Sequence, residues 1–265
     1  MSVLRLEYRS VTMRFMLPGR ALTALREVSF SVRDGEVVAL IGPSGCGKST
    51  LLNIGAGLSS PSEGAAFVDG ERVEGPNSHV AFMLQKDLLL PWRTVAENAM
   101  LGVEIQGMPA AERRRRAQTL LAGFNLAEFA DHYPHQLSGG MRQRVALART
   151  LAVDPHVLLL DEPFSALDAQ TRMVLQRDLA RTLKRAGKTA LLITHDLLEA
   201  VTLSDRVLVM SGRPGRIIDE IAVDLPGRED PIARRRELRV NDYVARLMDR
   251  LDIAHASIEP AGVAP

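Results

Sequence analysis

The chain holds almost no cysteine. One, Cys46, stands among 265 residues, so no internal disulfide can form and a reducing compartment fits. Long apolar runs are missing too: none approaches the roughly 20 consecutive apolar residues that span a bilayer. The opening stretch MSVLRLEYRS has charges scattered among its apolar residues, which argues against a secretory signal. Excess charge of one sign is also absent. The balance is +1, which gives no reason to expect a nucleic-acid partner. There is no internal repeat and no low-complexity tract. What remains is ordinary globular composition, 46% hydrophobic and 25% charged, with enough chain to bury a sizeable core.

Four apolar runs recur: EVVALIG at 36–42, HVLLLDEP at 156–163, TALLITHD at 189–196 and DRVLVMSG at 205–212. Continuous runs of branched residues predict strands buried on both faces, hence a parallel sheet. Helical patterns over 48–57, 142–153, 169–186 and 197–203 alternate with them, which predicts an α/β core. Residues 1–35 carry shorter alternating segments, read as antiparallel strands along the edge of that core. A helical insertion is expected at about 88–155. The expected division is a main domain over 1–220 and a C-terminal helical extension over 221–265. In that extension Asp230 is the N-cap, Pro231 the first helical residue, and Val240, Val244, Leu247 and Leu251 share one face. The last ten or so residues are expected to fray.

Between the first predicted strand and helix stands Gly42, Pro43, Ser44, Gly45, Cys46, Gly47, Lys48, Ser49, followed by Thr50. It fits the phosphate-loop pattern G-x-x-x-x-G-K-[ST] in the strand–helix context that pattern needs. Its glycines let backbone N–H groups face a phosphate, Lys48 brings a charge to the β/γ-phosphates, and the Ser49 hydroxyl suits Mg²⁺. Cys46 within the loop reads as a small filler, because the chemistry needs no thiol. Asp161 ends a buried strand and suits Mg²⁺ through water. Glu162, the next residue, is placed to polarise an attacking water as general base. Together these predict a nucleoside-triphosphatase.

A second glycine loop follows a serine in LSGGMRQR and runs into a helix. It resembles the signature motif of ABC-transporter ATP-binding subunits, usually LSGGQ. Other motifs of that family stand in order around it: Gln85 in FMLQKD, SALD at 165–168 with Asp168 at its end, and His195 in LLITHD. The resemblance covers about residues 3–220. It implies a P-loop NTPase (RecA-like) core with an N-terminal antiparallel β-subdomain and an inserted α-helical subdomain. It also implies ATP and Mg²⁺ as ligands, and a head-to-tail homodimer. In such a dimer Ser138, Gly139 and Gly140 of one subunit would close over the γ-phosphate held by the other's P-loop. It further implies that Gln85 senses Mg²⁺ and the water, His195 contacts the γ-phosphate, Asp168 bridges to the partner's P-loop, and Phe15 stacks on adenine where the family often has tyrosine.

DLLLPWRTVAENAMLG, YPHQLSGGMRQRVALAR and SGRPGRI look like the nitrate/sulfonate/taurine branch of importer ATPases, in which Met141 for glutamine is typical. Lys86 departs from the acidic residue the family often has after its Q-loop glutamine. The branch implies integral-membrane permease partners, an indirectly coupled solute-binding protein, and a peripheral place on the cytoplasmic face of the inner membrane. Trp92, with Leu88–Leu90, is the candidate contact for the permease. The competing class is a soluble ABC ATPase acting on nucleic acid or ribosomes. The arginines of ERRRRA (112–117) and IARRRELR (232–239) read as solvated helix faces.

Overall fold

A computed structural model describes residues 3–165 and 167–256. Four strands are buried and apolar but for one terminal residue in three of them: β3 (Val37–Ile41), β7 (Val157–Asp161, its terminal aspartate half-exposed), β8 (Thr189–Ile193) and β9 (Arg206–Met210). They pair in parallel in a six-stranded sheet of order β10-β9-β3-β8-β7-β6. The flanking strands β6 (Val80–Met83) and β10 (Ile217–Ala222) are only half-buried, and β10 runs antiparallel. Burial on both faces explains why the four inner strands read as unbroken apolar runs. β3, β8 and β7 are neighbours, with Leu40 beside Ile193 and Ile193 beside Asp161. Three loops therefore leave the same sheet edge side by side, the position where open α/β sheets bind ligands.

The antiparallel strands form a sheet of their own, where the sequence suggested an edge of the core. β1 (Leu4–Leu17) and β2 (Arg20–Arg33) are joined by β4 (Glu63–Val68) and β5 (Glu71–Arg72) in the order β2-β1-β4-β5. The sheet packs on helix α1 (Lys48–Gly55) and the central strands through Leu6, Tyr8, Phe30 and Leu159. Tyr8 stacks on Phe30 at 4.7 Å and donates its hydroxyl to the Leu51 carbonyl at 2.8 Å. A polar clasp also ties the two sheets: Asp69 meets His79 at 2.8 Å, His156 at 2.6 Å and Arg5 at 2.7 Å.

Helices α2 (Val95–Ile105), α3 (Ala110–Gly123) and α4 (Gly139–Ala152) pack together around Ala117, Leu121, Phe124, Val145 and Leu147. Thr94 and Glu97 close a capping box at the start of α2, satisfying two N-terminal donors. α5 (Ala169–Arg185) and α6 (Leu197–Leu203) follow the strands that carry the site loops.

The C-terminal extension departs from the sequence expectation. Asp230 does cap a helix, accepting from Ala233, but α7 spans only Pro231–Arg234. The chain turns before α8 (Val240–Ala256) begins. Arg234 is no solvated residue. Its guanidinium is buried and donates to the carbonyls of Val201, Thr202, Ser204, Val223 and Leu225. A buried charge needs such partners, and five carbonyls supply them. Arg235 reaches the Gln176 side chain at 2.9 Å. On α8, Val240 and Leu247 are buried, and Val244 and Leu251 pack against the same cluster with Ala200 and Val209. The terminal residues expected to fray lie outside the described ones.

Glu199, on α6, is 3% exposed and accepts from Gln176 Nε2 at 3.0 Å. Burial pushes its carboxyl up to about 8, against hydrogen bonds that pull it down and with Asp196 adding to the rise. An acid raised in the folded state stabilises fully below its unfolded value, and that contribution is lost as pH rises through about 8. Thermal melts should therefore show wild-type Tm falling from about pH 6 to about pH 9 more steeply than that of Glu199→Gln. Parallel pH profiles would contradict the assignment.

Candidate active site

The loop leaving β3 turns on glycines at Gly45 (φ 74°) and Gly47 (φ 106°), both in the left-handed region. At Gly47 an added Cβ would lie 2.6 Å from Leu25 Cδ2 and 3.2 Å from the Ala24 carbonyl oxygen, which adds crowding to a backbone conformation that already favours glycine. Pro43 and Cys46 are buried beneath the loop, so they can serve a ligand only through backbone. Burial pushes the Cys46 thiol up, which keeps it protonated and consistent with a packing role. Lys48 Nζ donates to the carbonyls of Gly42 at 2.8 Å and Pro43 at 3.0 Å, which holds the ammonium over the loop. Above lies a cleft of about 370 Å³ lined by Phe15, Ser44, Lys48, Ser49, Glu162 and Arg213 among others. Phe15, on β1, is 39% exposed there, so its ring face is available.

Asp161 and Glu162 follow β7. Burial raises the Asp161 carboxyl, the nearby Ser49 hydroxyl lowers it, and the neighbouring Glu162 charge raises it again. Ser49 and Asp161 thus share one spot with two hard oxygen donors, which fits Mg²⁺. Glu162 adopts φ 45°, rare for a non-glycine residue, and its N–H donates to the Ile193 carbonyl at 3.0 Å. Backbone strain of this kind gathers where a side chain must be aimed. The Glu162 carboxylate accepts from Gln85 Nε2 at 3.0 Å, and His195 Nδ1 lies 3.4 Å from the same oxygen. Gln85 comes off β6 and His195 off β8, so three strand ends meet and bring two predicted residues onto the carboxylate of a third. Asp196, behind His195, caps α6 through the Glu199 N–H at 3.0 Å.

The signature loop is elsewhere. Ser138 caps α4, its Oγ accepting from Met141 N at 3.3 Å. Gly140 has no room for a side chain: a Cβ would sit 2.3 Å from Thr171 Cγ2. Ser138, Gly139 and Gly140 are not among the residues lining the P-loop cleft. Gly139 instead borders a cleft of about 840 Å³ with Gln85, Glu162 and His195. Met141 packs half-buried against the helical cluster, which accounts for an apolar residue at that place. Asp168 is exposed and caps α5, accepting from Gln170 N and Thr171 N; the bonds to Thr171 hold its carboxyl below the usual range.

Three arginines were not singled out from sequence. Arg142 pairs with Asp87 at 3.0 Å, and Arg149 donates to the Asp87 and Leu88 carbonyls, so α4 holds the segment after Gln85. Arg213 reaches the P-loop from the β9–β10 turn. The apolar segment beyond Gln85 divides: Trp92 is 71% and Leu88 53% exposed, while Leu89 is buried in the helical cluster. Leu89 is thus a core residue and cannot anchor a partner. Trp92, Met100, Arg113 and Arg114 border a groove of about 480 Å³. Among the described residues no helix is long and apolar enough to cross a membrane.

Comparison with known proteins gives a consistent picture. Residues 25–165 match the family model described as ABC transporter. An uncharacterized ABC transporter ATP-binding protein of Methanocaldococcus jannaschii is 45% identical, over 93% of this chain and 91% of the relative. The taurine import ATP-binding protein TauB of Pseudomonas aeruginosa is 41% identical over 95% of this chain and 98% of its own length. Among solved structures, a dimeric ATP-binding cassette in a post-hydrolysis state with ADP and Pi superposes with a TM-score of 0.74. It has 33% identity and covers 82% of this chain and 98% of its own.

Proposed function

Because the chain belongs to the ABC transporter ATP-binding family, we propose that it powers uptake of a small solute through a membrane permease, with nitrate, sulfonate, taurine or a similar compound as cargo. It is an ATPase. The observation that carries the chemistry is the convergence of Gln85, His195 and the strained Glu162 beside the P-loop cleft.

ATP enters with its adenine against Phe15 and its phosphates over the loop, where backbone N–H groups and Lys48 meet their charge. Ser49 and Asp161 are the residues that would hold Mg²⁺, which supplies charge neutralisation between the phosphates. Glu162 accepts the proton of the attacking water. Gln85 fixes one oxygen of that carboxylate, and His195 stands ready to donate to the γ-phosphate as charge builds there. Ser138, Gly139 and Gly140 do not line the P-loop cleft of their own chain, so a phosphate held there does not meet their donors within one subunit. In a head-to-tail homodimer Ser138, Gly139, Gly140 and the N-terminus of α4 of the second subunit supply them. Asp168 faces the same partner. ATP then joins the subunits and hydrolysis parts them, a ligand-biased two-state switch. The subunit works from the cytoplasmic side of the inner membrane, and a solute-binding protein selects the cargo.

The relatives' roles favour import over action on nucleic acid or ribosomes. The test is reconstitution: with its permease in vesicles, hydrolysis should rise when the loaded binding protein is added outside. Stimulation by DNA or ribosomes instead would overturn import. Exposed Trp92 and its groove are the permease contact. Trp92→Ala should cut permease co-purification roughly tenfold or more, as loss of an aromatic anchor does. Undiminished co-purification would move the contact elsewhere.

A further inference from the structure

The turn between β9 and β10, residues 211–216, lies directly against the P-loop. Gly215 approaches so closely that a Cβ there would sit 2.1 Å from the Cys46 carbonyl oxygen. Its N–H donates to the Ala24 carbonyl at 2.9 Å, and its own carbonyl accepts from Arg26 N at 3.0 Å. The turn is therefore pinned to β2, the strand that supplies Ala24 to the cleft wall. Ser211 closes it from within, its Oγ donating to the Pro214 carbonyl at 3.1 Å and accepting from Arg216 N at 3.0 Å. A rigid turn holds Arg213 at the cleft. Arg213 Nε and one terminal nitrogen both donate to the Gly45 carbonyl, at 3.2 and 2.8 Å.

Two consequences follow from this geometry. A peptide's carbonyl and its N–H point in opposite directions, so Arg213 on the Gly45 carbonyl fixes the Gly45–Cys46 peptide from one side while the Cys46 N–H donates to the Pro43 carbonyl at 3.3 Å on the other. The same guanidinium lines the cleft with Phe15 and Lys48, and no acidic side chain forms a salt bridge with it among the described residues. Its other terminal nitrogen keeps its donors for a second acceptor.

We propose that Arg213 is a nucleotide-binding residue. It braces the P-loop through Gly45 and gives its remaining donors and its charge to the phosphate oxygens of a nucleoside di- or triphosphate stacked on Phe15. The proposal rests on the nucleotide site described above and adds to it a cation from outside the P-loop. Arg213 acts on binding, while Glu162, Gln85 and His195 act on turnover.

The test is titration of the full chain with ATP and with ADP, together with KM and kcat, for Arg213→Ala, Arg213→Gln and Lys48→Ala. Losing a charge-assisted contact should weaken both nucleotides about tenfold in Arg213→Ala. KM should rise to match, with kcat at saturation within about twofold. Arg213→Gln keeps a donor for the Gly45 carbonyl but carries no charge, so it should remain nearly as weak. Its salt dependence of ADP binding should also be flatter than that of wild type. Wild-type affinity in Arg213→Ala overturns the proposal, as does a fall in kcat with affinity unchanged. Wild-type affinity in Arg213→Gln overturns the charge contact and leaves only a brace. Lys48→Ala separates this from the wider assignment. If it too binds ATP as well as wild type, the site itself is misplaced, whatever Arg213 does.

Discussion

Glu162→Gln is expected to bind ATP, form a persistent dimer and stop hydrolysing. The substitution keeps the side chain's shape, so the strained backbone at φ 45° and the bond to the Ile193 carbonyl survive. Gln85 can still donate to the side-chain oxygen it now reaches at 3.0 Å. What is lost is the group proposed to take the water's proton, since an amide is no base. General-base catalysis is worth about 10²–10⁴ in rate, and the fall in kcat should be of that size. In the proposed switch ATP joins the subunits and hydrolysis parts them, so the variant should elute as a dimer when loaded with ATP and as a monomer with ADP. Turnover at the wild-type rate would remove Glu162 from the chemistry. A monomer under saturating ATP would break the link between binding and closure.

Ser138→Arg is expected to bind ATP as a monomer and hydrolyse almost none of it. Ser138 and Gly139 are exposed, and neither lines the P-loop cleft of its own chain. Nucleotide affinity of the monomer should therefore stay within about twofold of wild type. The cost to folding is the lost cap on α4, about 1 kcal/mol, which a chain of this size tolerates. A bulky cation at the proposed subunit junction, however, would block the approach of one loop to the other subunit's phosphate. Hydrolysis should drop at least about a hundredfold, the scale for losing positioned donors at a developing charge. Ser138→Ala is the control. It loses the same cap without the bulk and should retain far more activity.

Much of the site was legible because its chemistry is local. The phosphate loop, Asp161 and Glu162, and His195 each follow an inner strand whose continuous apolar run announces burial on both faces. Strand β10 is hard to read because Asp219 and Glu220 interrupt its apolar residues, and β6 because its apolar run VAFM is only four residues long and half-buried at the sheet edge. Arg234 looked like one of a row of surface charges. Only the folded chain shows five carbonyls left unpaired where α6 and β10 end, which a guanidinium can satisfy. Leu89 and Leu88 are adjacent and chemically identical, yet one is core and the other exposed, a distinction set by the turn at Leu88 (φ 44°). Arg213 is remote in sequence from Gly45 and meets it only through β9 and β3 lying side by side. Tertiary pairing decides such residues, and no local pattern carries it.

The central claim is that each hydrolytic site is built from two subunits. The most direct measurement mixes two inactive variants, Lys48→Ala and Ser138→Arg, and assays the mixture for ATP hydrolysis. In a head-to-tail pair of unlike subunits, one site combines both lesions and the other combines an intact P-loop with an intact signature loop. Activity should then appear on mixing, up to roughly a quarter of the wild-type rate for random pairing of subunits. If each chain used its own signature loop, every site would carry one lesion, and the mixture would stay as inactive as its components.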